Sequence, residues 1–368
     1  MKNSVQNQLV FVYGSLMRNG SAEDLLSGCT YSGKAILKDF AMFNLRRYPG
    51  IISKRGEWVE GELYIIHNND FARLDQYEGE GILYQRELVT VESSTGQKQA
   101  WAYIYLGKPE GKPMQRPWIS DKDDVVWYAS YGSNLSKERF LCYIKGGICA
   151  ANGKEYKPCT NPKLVSEKDD HAWFPGQMYF GNESGSWGDK GVAFYDPNAV
   201  GKTFMRMFKV TREQLWEIQG KEGRCPEWYG RILALGIHAD GCPIYTMTSE
   251  YRHPFNAPDK SYINLISRAL IEENGFSEKE AEDYLTKCLD KKMKKTVIVK
   301  DNRKSETAKM EITYKQWIEQ HANDLAWIVE MAYNGIHVTP DAGNHPSNLV
   351  LYMLACDVDS ALQKKGQK

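Results

Sequence analysis

Two hydrophobic periods divide this chain. Leu9-Val10-Phe11-Val12-Tyr13 is an unbroken run of aliphatic and aromatic residues that stops at Gly14-Ser15-Leu16, and Val125-Val126-Trp127-Tyr128-Ala129 is a second that leads to Tyr131-Gly132-Ser133-Asn134-Leu135. Runs of this kind ending abruptly at Gly-Ser predict a strand feeding a tight loop. Downstream, Gly61-Glu62-Leu63-Tyr64-Ile65-Ile66 predicts a further strand, followed by a helical Asp70-Phe71-Ala72-Arg73-Leu74 and by Tyr77-Glu78-Gly79. In the second half Phe204-Met205-Arg206-Met207-Phe208-Lys209-Val210 predicts a strand. A helix then starts at Thr211, with Gln214 at capping-box spacing, and closes at Lys221-Glu222-Gly223. Tyr64 and Phe208 each precede their Glu-Gly pair by 14 positions, and Tyr84-Gln85-Arg86 and Tyr229-Gly230-Arg231 follow those pairs. The order strand, loop, strand, short helix, Glu-Gly, Tyr-x-Arg strand is used twice.

The halves differ in length. Tyr13 to Glu78 spans 65 positions and Tyr131 to Glu222 spans 91. The excess falls largely within 145–185, whose Gly, Lys, Asn, Asp and Pro content predicts an elaborated surface loop. Gly107-Lys108-Pro109-Glu110-Gly111-Lys112-Pro113 and the polar stretch 120–124 read as a linker. After the second repeat, Tyr262, Leu265, Ile266, Ala269, Leu270 and Ile271 fall at helical spacing before Asn274-Gly275, and a second amphipathic segment covers 277–289. A strand-like Thr296-Val297-Ile298-Val299 and a helix over about 314–333 complete the pattern. The expected organisation is a first domain at 8–107, a linker at 108–124, a second domain at 125–295 and an extension at 296–368 without an assigned role. A chain of 368 residues accommodates two domains.

Charge changes the picture by exclusion. The 47 basic and 47 acidic residues cancel and are dispersed, so nothing electrostatic points to nucleic acid or to a membrane surface. The basic run Lys291-Lys292-Met293-Lys294-Lys295 reads as a solvated helix end. Eight cysteines lack Cys-x-x-Cys spacing, and Cys142, Cys149 and Cys159 fit no usual zinc pattern. No secretory signal and no long apolar span is present, so the expected compartment is the cytoplasm, with reduced thiols. No serine-hydrolase elbow, zinc-protease or phosphate-loop motif occurs. His171 and His253, without a paired Ser or Cys, read as structural or solvated, and Cys142 reads as a helix-face core residue. Trp173, Phe174, Tyr179, Phe180 and Trp187 are dense enough to line a cavity, although packing is the commoner use of such residues.

The repeated elements carry the candidate chemistry. A glycine after a strand lets a ligand approach the main chain closely, and successive N–H groups in such a turn form a concave donor site for a carboxylate or oxyanion. Glu78 and Glu222 stand where a short helix stops at glycine, the negative pole of the helix dipole. A carboxyl held there among aromatics such as Tyr77 and Tyr84, or Trp228 and Tyr229, is expected to have a raised pKa and to serve as acid and base.

Residues 9–105 resemble a small γ-glutamylamine cyclotransferase or plant AIG2-like domain. The resemblance rests on Phe-Val-Tyr-Gly-Ser-Leu-Met-Arg-Asn-Gly at 11–20, Tyr-Pro-Gly at 48–50, Gly-Glu-Leu-Tyr at 61–64, Leu-Asp-Gln-Tyr-Glu-Gly at 74–79, Tyr-Gln-Arg at 84–86 and Ala-Trp-Ala-Tyr-Ile-Tyr at 100–105. Residues 125–289 resemble the longer γ-glutamylcyclotransferases through Tyr-Gly-Ser-Asn-Leu at 131–135, Glu222-Gly223 and Ala-Pro-Asp-Lys-Ser-Tyr-Ile at 257–263. The second set departs from the family pattern at Ile218-Gln219-Gly220-Lys221, where the family has a Leu-Asp-rich stretch. The resemblance implies an α+β fold of two tandem small mixed β-barrels with flanking helices and a cavity at one barrel end. It implies that a substrate's own α-amine attacks its γ-amide carbonyl, releasing an amine or amino acid and leaving 5-oxoproline. Glu78 and Glu222 would be the acid/base groups. Tyr13, Gly14, Ser15 and Leu16, and Tyr131, Gly132, Ser133, Asn134 and Leu135, would be the binding loops. The expected partner is a small γ-glutamyl substrate; no metal, cofactor, nucleic acid or membrane is expected. Two other readings stay open: one active and one decayed domain, or a non-catalytic module that binds a γ-glutamyl metabolite or a protein.

Overall fold

A run that is apolar at every position, like 9–13, needs cover on both faces, and the computed structural model, which describes residues 7–68 and 70–289, supplies it. Strand β1 (Asn7–Val12) lies between β3 (Pro49–His67), its antiparallel partner, and β5 (Gly96–Tyr105), its parallel one. With β2 (Thr30–Asn44) and β4 (Tyr84–Ser93) these strands close a barrel in the order β1-β3-β2-β4-β5. Phe11 and Tyr13 face the barrel interior with Leu37, Val59, Leu63, Val91 and Ala102. Val10 and Val12 face outward beneath Phe71 and Leu74 of helix α1 (Asp70–Glu78), with Leu16, Met17 and Leu26 closing the layer. Two apolar faces on one strand thus fix the barrel and seat the helix that ends in Glu78.

In the second half the elements are β6 (Val125–Ser130), α2 (Lys137–Lys145), the short β7 (Gly147–Ile148) and β8 (Glu155–Tyr156), β9 (Asp169–Pro175), β10 (Gln177–Ser184) and β11 (Lys190–Asp196). There follow β12 (Lys202–Thr211), α3 (Arg212–Glu222), β13 (Arg231–Ile237), β14 (Pro243–Thr248), α4 (Lys260–Arg268) and α5 (Glu278–Leu289). Its main sheet runs β13-β14-β6-β12-β9. That is the order β4-β5-β1-β3-β2 of the first half, including the parallel contact of β14 with β6. The β2–β4 seam that closes the first barrel has no backbone counterpart between β9 and β13. There the His238 Nε2 and Asp170 Oδ2 atoms meet at 3.1 Å. The second sheet is therefore open, where a closed barrel was expected.

The expected loop at 145–185 also needs correction. Residues 169–175 form the edge strand β9 on β12, and 177–184 form a hairpin with β11. Other sequence signals translate directly. Thr211 accepts from Gln214 N–H while Gln214 accepts from Thr211 N–H, a complete capping box. Asp259 caps α4, which continues through a π-helical turn at Ala269–Glu273 and stops at Asn274. Within 108–124, the N–H of Met114 donates to Met42 O (2.7 Å), and Met114 and Trp118 pack against the first core.

Both halves, apart from residues 198–201, belong to one compact unit. Ile36 and Trp58 of the first barrel join the second half's core beside Tyr245, Ile232 and Met247. Across this contact Arg212 donates from Nη2 to both carboxylate oxygens of Glu60 at 3.1 Å, and both side chains are 2% exposed. Tyr245 donates its hydroxyl to Glu60, and Trp58 Nε1 donates to Ile232 O at 2.9 Å. The basic run 291–295, the strand at 296–299 and the helix at 314–333 lie outside the described residues. Among the described residues no helix is long and apolar enough to cross a membrane.

Candidate functional site

The first cavity, of about 230 Å³, opens at the end of β1 and brings the expected loop and glutamate together: Tyr13, Gly14, Ser15, Leu16 and Glu78 all line it, with Tyr48, Pro49, Tyr77, Tyr84 and Tyr103. Beyond β1 the chain turns with Met17 N–H donating to Gly14 O at 3.0 Å. The N–H groups of Ser15 and Leu16, inside that turn, have no acceptor among the described residues. Both residues line the cavity, which makes these N–H groups candidate donors to a carboxylate or oxyanion. The far end of the turn is anchored by buried Glu62 of β3, which accepts from both the backbone N–H and the Nε of Arg18 at 2.9 Å.

Tyrosines set the walls. The Tyr13 hydroxyl donates to Tyr103 O (2.6 Å) and that of Tyr84 to Pro49 O (2.7 Å), while Ser15 Oγ and the Tyr77 hydroxyl are 2.9 Å apart. The Tyr103 hydroxyl donates to Asp75 Oδ1 (2.7 Å), tying β5 to α1 one turn before Glu78. Gly79 at φ +64 ends the helix in the left-handed region that glycine favours. Burial among these rings pushes the Glu78 carboxyl from 4.5 up to about 7. Burial, with the nearby Glu78 charge, also raises the Tyr13 and Tyr84 hydroxyls well above their ordinary range, so both remain neutral donors.

Gly14 is not needed for an unusual φ, since it is not among the positive-φ glycines. It is needed for space: a Cβ there would stand 2.8 Å from Pro49 Cγ and 3.1 Å from Cδ. Gly14→Ala is expected to cost about 1–3 kcal/mol through overpacking, read as a lowered thermal midpoint. An unchanged midpoint would show that Pro49 yields freely.

The second cavity, of about 460 Å³, holds Ser133, Glu222, Trp228, Tyr229 and Tyr262. Its loop repeats the first: Leu135 N–H donates to Gly132 O at 3.0 Å, and the Tyr131 hydroxyl donates to Met247 O of β14 (2.7 Å). Asn134, which the first loop lacks, donates from Nδ2 to Glu222 Oε1 at 2.7 Å and to the Tyr128 hydroxyl at 3.2 Å. Ser133 lines the cavity, whereas Tyr131, Gly132, Asn134 and Leu135, expected to bind substrate, are not among its lining residues. Of the five aromatics considered from sequence only Trp187 reaches the cavity; Trp173 packs instead on Phe204, Phe276 and Tyr284. His253 pairs its Nε2 with Ser249 Oγ at 3.0 Å. Sequence reading missed Arg139, Tyr143, Lys154 and Tyr156, which also line this cavity. The i,i+4 pair Arg139–Tyr143, on the helix leaving the Gly-Ser loop, was the available signal. Among the described residues no group of three His, Cys, Asp or Glu side chains gathers to hold a metal ion.

The family described as "Gamma-glutamyl cyclotransferase, AIG2-like" matches residues 10–124. Over 102 residues the chain is 31% identical to "Gamma-glutamylcyclotransferase family protein ytfP" of Citrobacter rodentium, a match covering 28% of this chain and 85% of that protein. This chain belongs to the γ-glutamylcyclotransferase family. The chain is also similar to "AIG2-like protein D" of Arabidopsis thaliana, 34% identical over 116 residues, 30% of this chain and 75% of that protein. A longer match, 31% identical over 272 residues, is to "Histone deacetylase 5" of Arabidopsis thaliana. It covers 62% of this chain, too much to lie within 10–124, and the chain spans only 39% of the length of that relative. Among solved structures the chain is similar to that of YkqA from Bacillus subtilis, with 20% identity and a TM-score of 0.38 over 77% of this chain and 98% of the other.

Proposed function

We propose that the first barrel is a γ-glutamyl cyclotransferase acting on γ-glutamyl amines or peptides. The observation that carries this reading is the single cavity shared by Glu78, its carboxyl raised to about 7, and the unpaired N–H groups of Ser15 and Leu16. The γ-glutamyl portion docks against the loop. Glu78, ionised, takes a proton from the substrate α-ammonium, whose ordinary pKa is ~8. The freed amine nitrogen attacks the γ-carbonyl carbon, the oxygen of the tetrahedral intermediate accepts from the loop N–H groups, and the γ-C–N bond to the departing amine breaks. Glu78 returns its proton to that nitrogen and then accepts the second proton that the ring nitrogen still carries, passing it to the released amine, so that 5-oxoproline and an ammonium product leave. Because nucleophile and electrophile share one molecule, the enclosure acts chiefly by holding a reactive conformation.

The second half supports the same reading as a second module. It has the same strand order, the same loop-closing bond, and a helix-terminal glutamate beside the loop. In this reading the module covers 125–295 and is joined to the first, at 8–107, through 108–124. Glu222 would then be its acid/base group. The test is to incubate the purified protein with a panel of γ-glutamyl amines and dipeptides and follow 5-oxoproline by mass spectrometry. Release that depends on the protein is expected; none from any compound would remove the enzymatic reading and leave a ligand-binding one.

A further inference from the structure

The two cavities differ in charge. No Arg, Lys or His lines the first, where Glu78 is the sole charged group. The second places Arg139, Lys154 and Lys221 around the same space as Glu222. Lys221 is committed, donating from Nζ to Tyr143 O at 2.6 Å. Lys154 is exposed at the cavity, its ammonium 5.3 Å from the Tyr156 ring centre.

Arg139 is the unusual member. It is 4% exposed, and its Nη2 donates to the hydroxyls of Tyr143 (2.7 Å) and Tyr156 (3.0 Å). Its Nε and Nη1 have no hydrogen-bond partner, and among the described residues no carboxylate comes within 4.0 Å of it. Glu222, the acid in the same cavity, is bound by Asn134 and stands beyond ion-pair distance, although its charge still acts on the guanidinium. A buried guanidinium without a paired anion is a costly arrangement in a fold that needs it only for packing. It becomes useful when a ligand supplies the missing negative charge in a low-dielectric enclosure.

We propose that Arg139, assisted by Lys154, makes the second cavity selective for a ligand whose departing portion carries a carboxylate, whereas the first cavity accepts uncharged departing amines. This rests on the reading of the second half as a γ-glutamyl site, and assigns Arg139 as the residue that sets its specificity.

The experiment compares two compounds that differ by one charge, γ-glutamylglycine and γ-glutamylglycinamide. Binding to the full chain carrying Glu78→Gln and Glu222→Gln is measured by calorimetry at low and high salt, so that turnover plays no part. The acid should bind at least tenfold more tightly than the amide at low salt, and added salt should remove only the share of that ratio supplied by exposed Lys154. Lys154→Ala, at an exposed position, should reduce the ratio several-fold without altering the thermal midpoint. Arg139→Met should abolish it, with circular dichroism confirming the fold. Equal binding of acid and amide, binding of neither, or a ratio unchanged by Arg139→Met in the folded variant would overturn the inference. If the preference holds but the chain carrying Glu78→Gln alone, with Glu222 intact, releases no 5-oxoproline from either compound, the cyclotransferase reading of the second half fails instead.

Discussion

Glu78→Gln should lower 5-oxoproline release from γ-glutamyl amines by about 10²–10⁴-fold, the usual contribution of a positioned acid/base group, and at the same time stabilise the protein above neutral pH. The two effects have one cause. The folded protein holds this carboxyl at about 7 against an ordinary 4.5 because burial disfavours its charged form. Its contribution to stability is therefore fully present below about pH 4.5 and is lost as pH rises through 7. At ~1.4 kcal/mol per pH unit, partial exposure of the side chain brings the penalty at pH 8 to about 1–2 kcal/mol. Glutamine carries no charge to desolvate, so urea unfolding should find the variant more stable than wild type by that amount at pH 8 and equal to it at pH 4. A variant that keeps its activity, or loses stability at pH 8, would show that Glu78 is an ordinary surface carboxylate.

The second large effect lies at the contact between the halves. Arg212→Met should destabilise by about 3–5 kcal/mol, because it leaves Glu60 buried and without its main counter-charge. Burial alone would raise the Glu60 carboxyl, yet Arg212 and Lys34, with the Tyr245 hydroxyl, hold it below its ordinary value. That contribution is present above the ordinary carboxylate range and is lost as pH falls through the depressed value. Adding Glu60→Gln to Arg212→Met removes the stranded charge and should recover most of the loss in denaturant unfolding. A double variant as unstable as the sum of the single ones would mean that the two residues act independently. Arg212 begins the helix that Glu222 ends, and Glu60 lies on the strand before the helix that carries Glu78. The pair thus fixes the two candidate sites' scaffolds against each other.

Local signals in the sequence were readable where one element determines them. The runs at 9–13 and 125–129 announced strands feeding tight loops, Thr211 and Gln214 announced a capped helix, and Glu78-Gly79 announced a helix end. Pairing between distant segments was not readable. Strand β9 is a half-exposed edge whose Asp169-Asp170-His171 start has no β-forming pattern, and only the partner β12 makes it a strand. For the same reason the open seam between β9 and β13 left no trace in either segment. Within the sites, the Tyr-Gly-Ser loops and the glutamates were legible because the repeat marked them twice. Arg139 was not, because its significance lies in the carboxylate it lacks, and absence of a partner is a property of three dimensions.

The most direct measurement of the central claim is the pH dependence of kcat/KM for a γ-glutamyl amine. Reaction requires ionised Glu78 and a substrate ammonium to deprotonate, so the profile should be a bell. Its acid limb should fall at about 7, set by Glu78, and its alkaline limb near ~8, set by the substrate amine. An acid limb at the ordinary carboxylate value of 4.5, or no acid limb at all, would contradict the account.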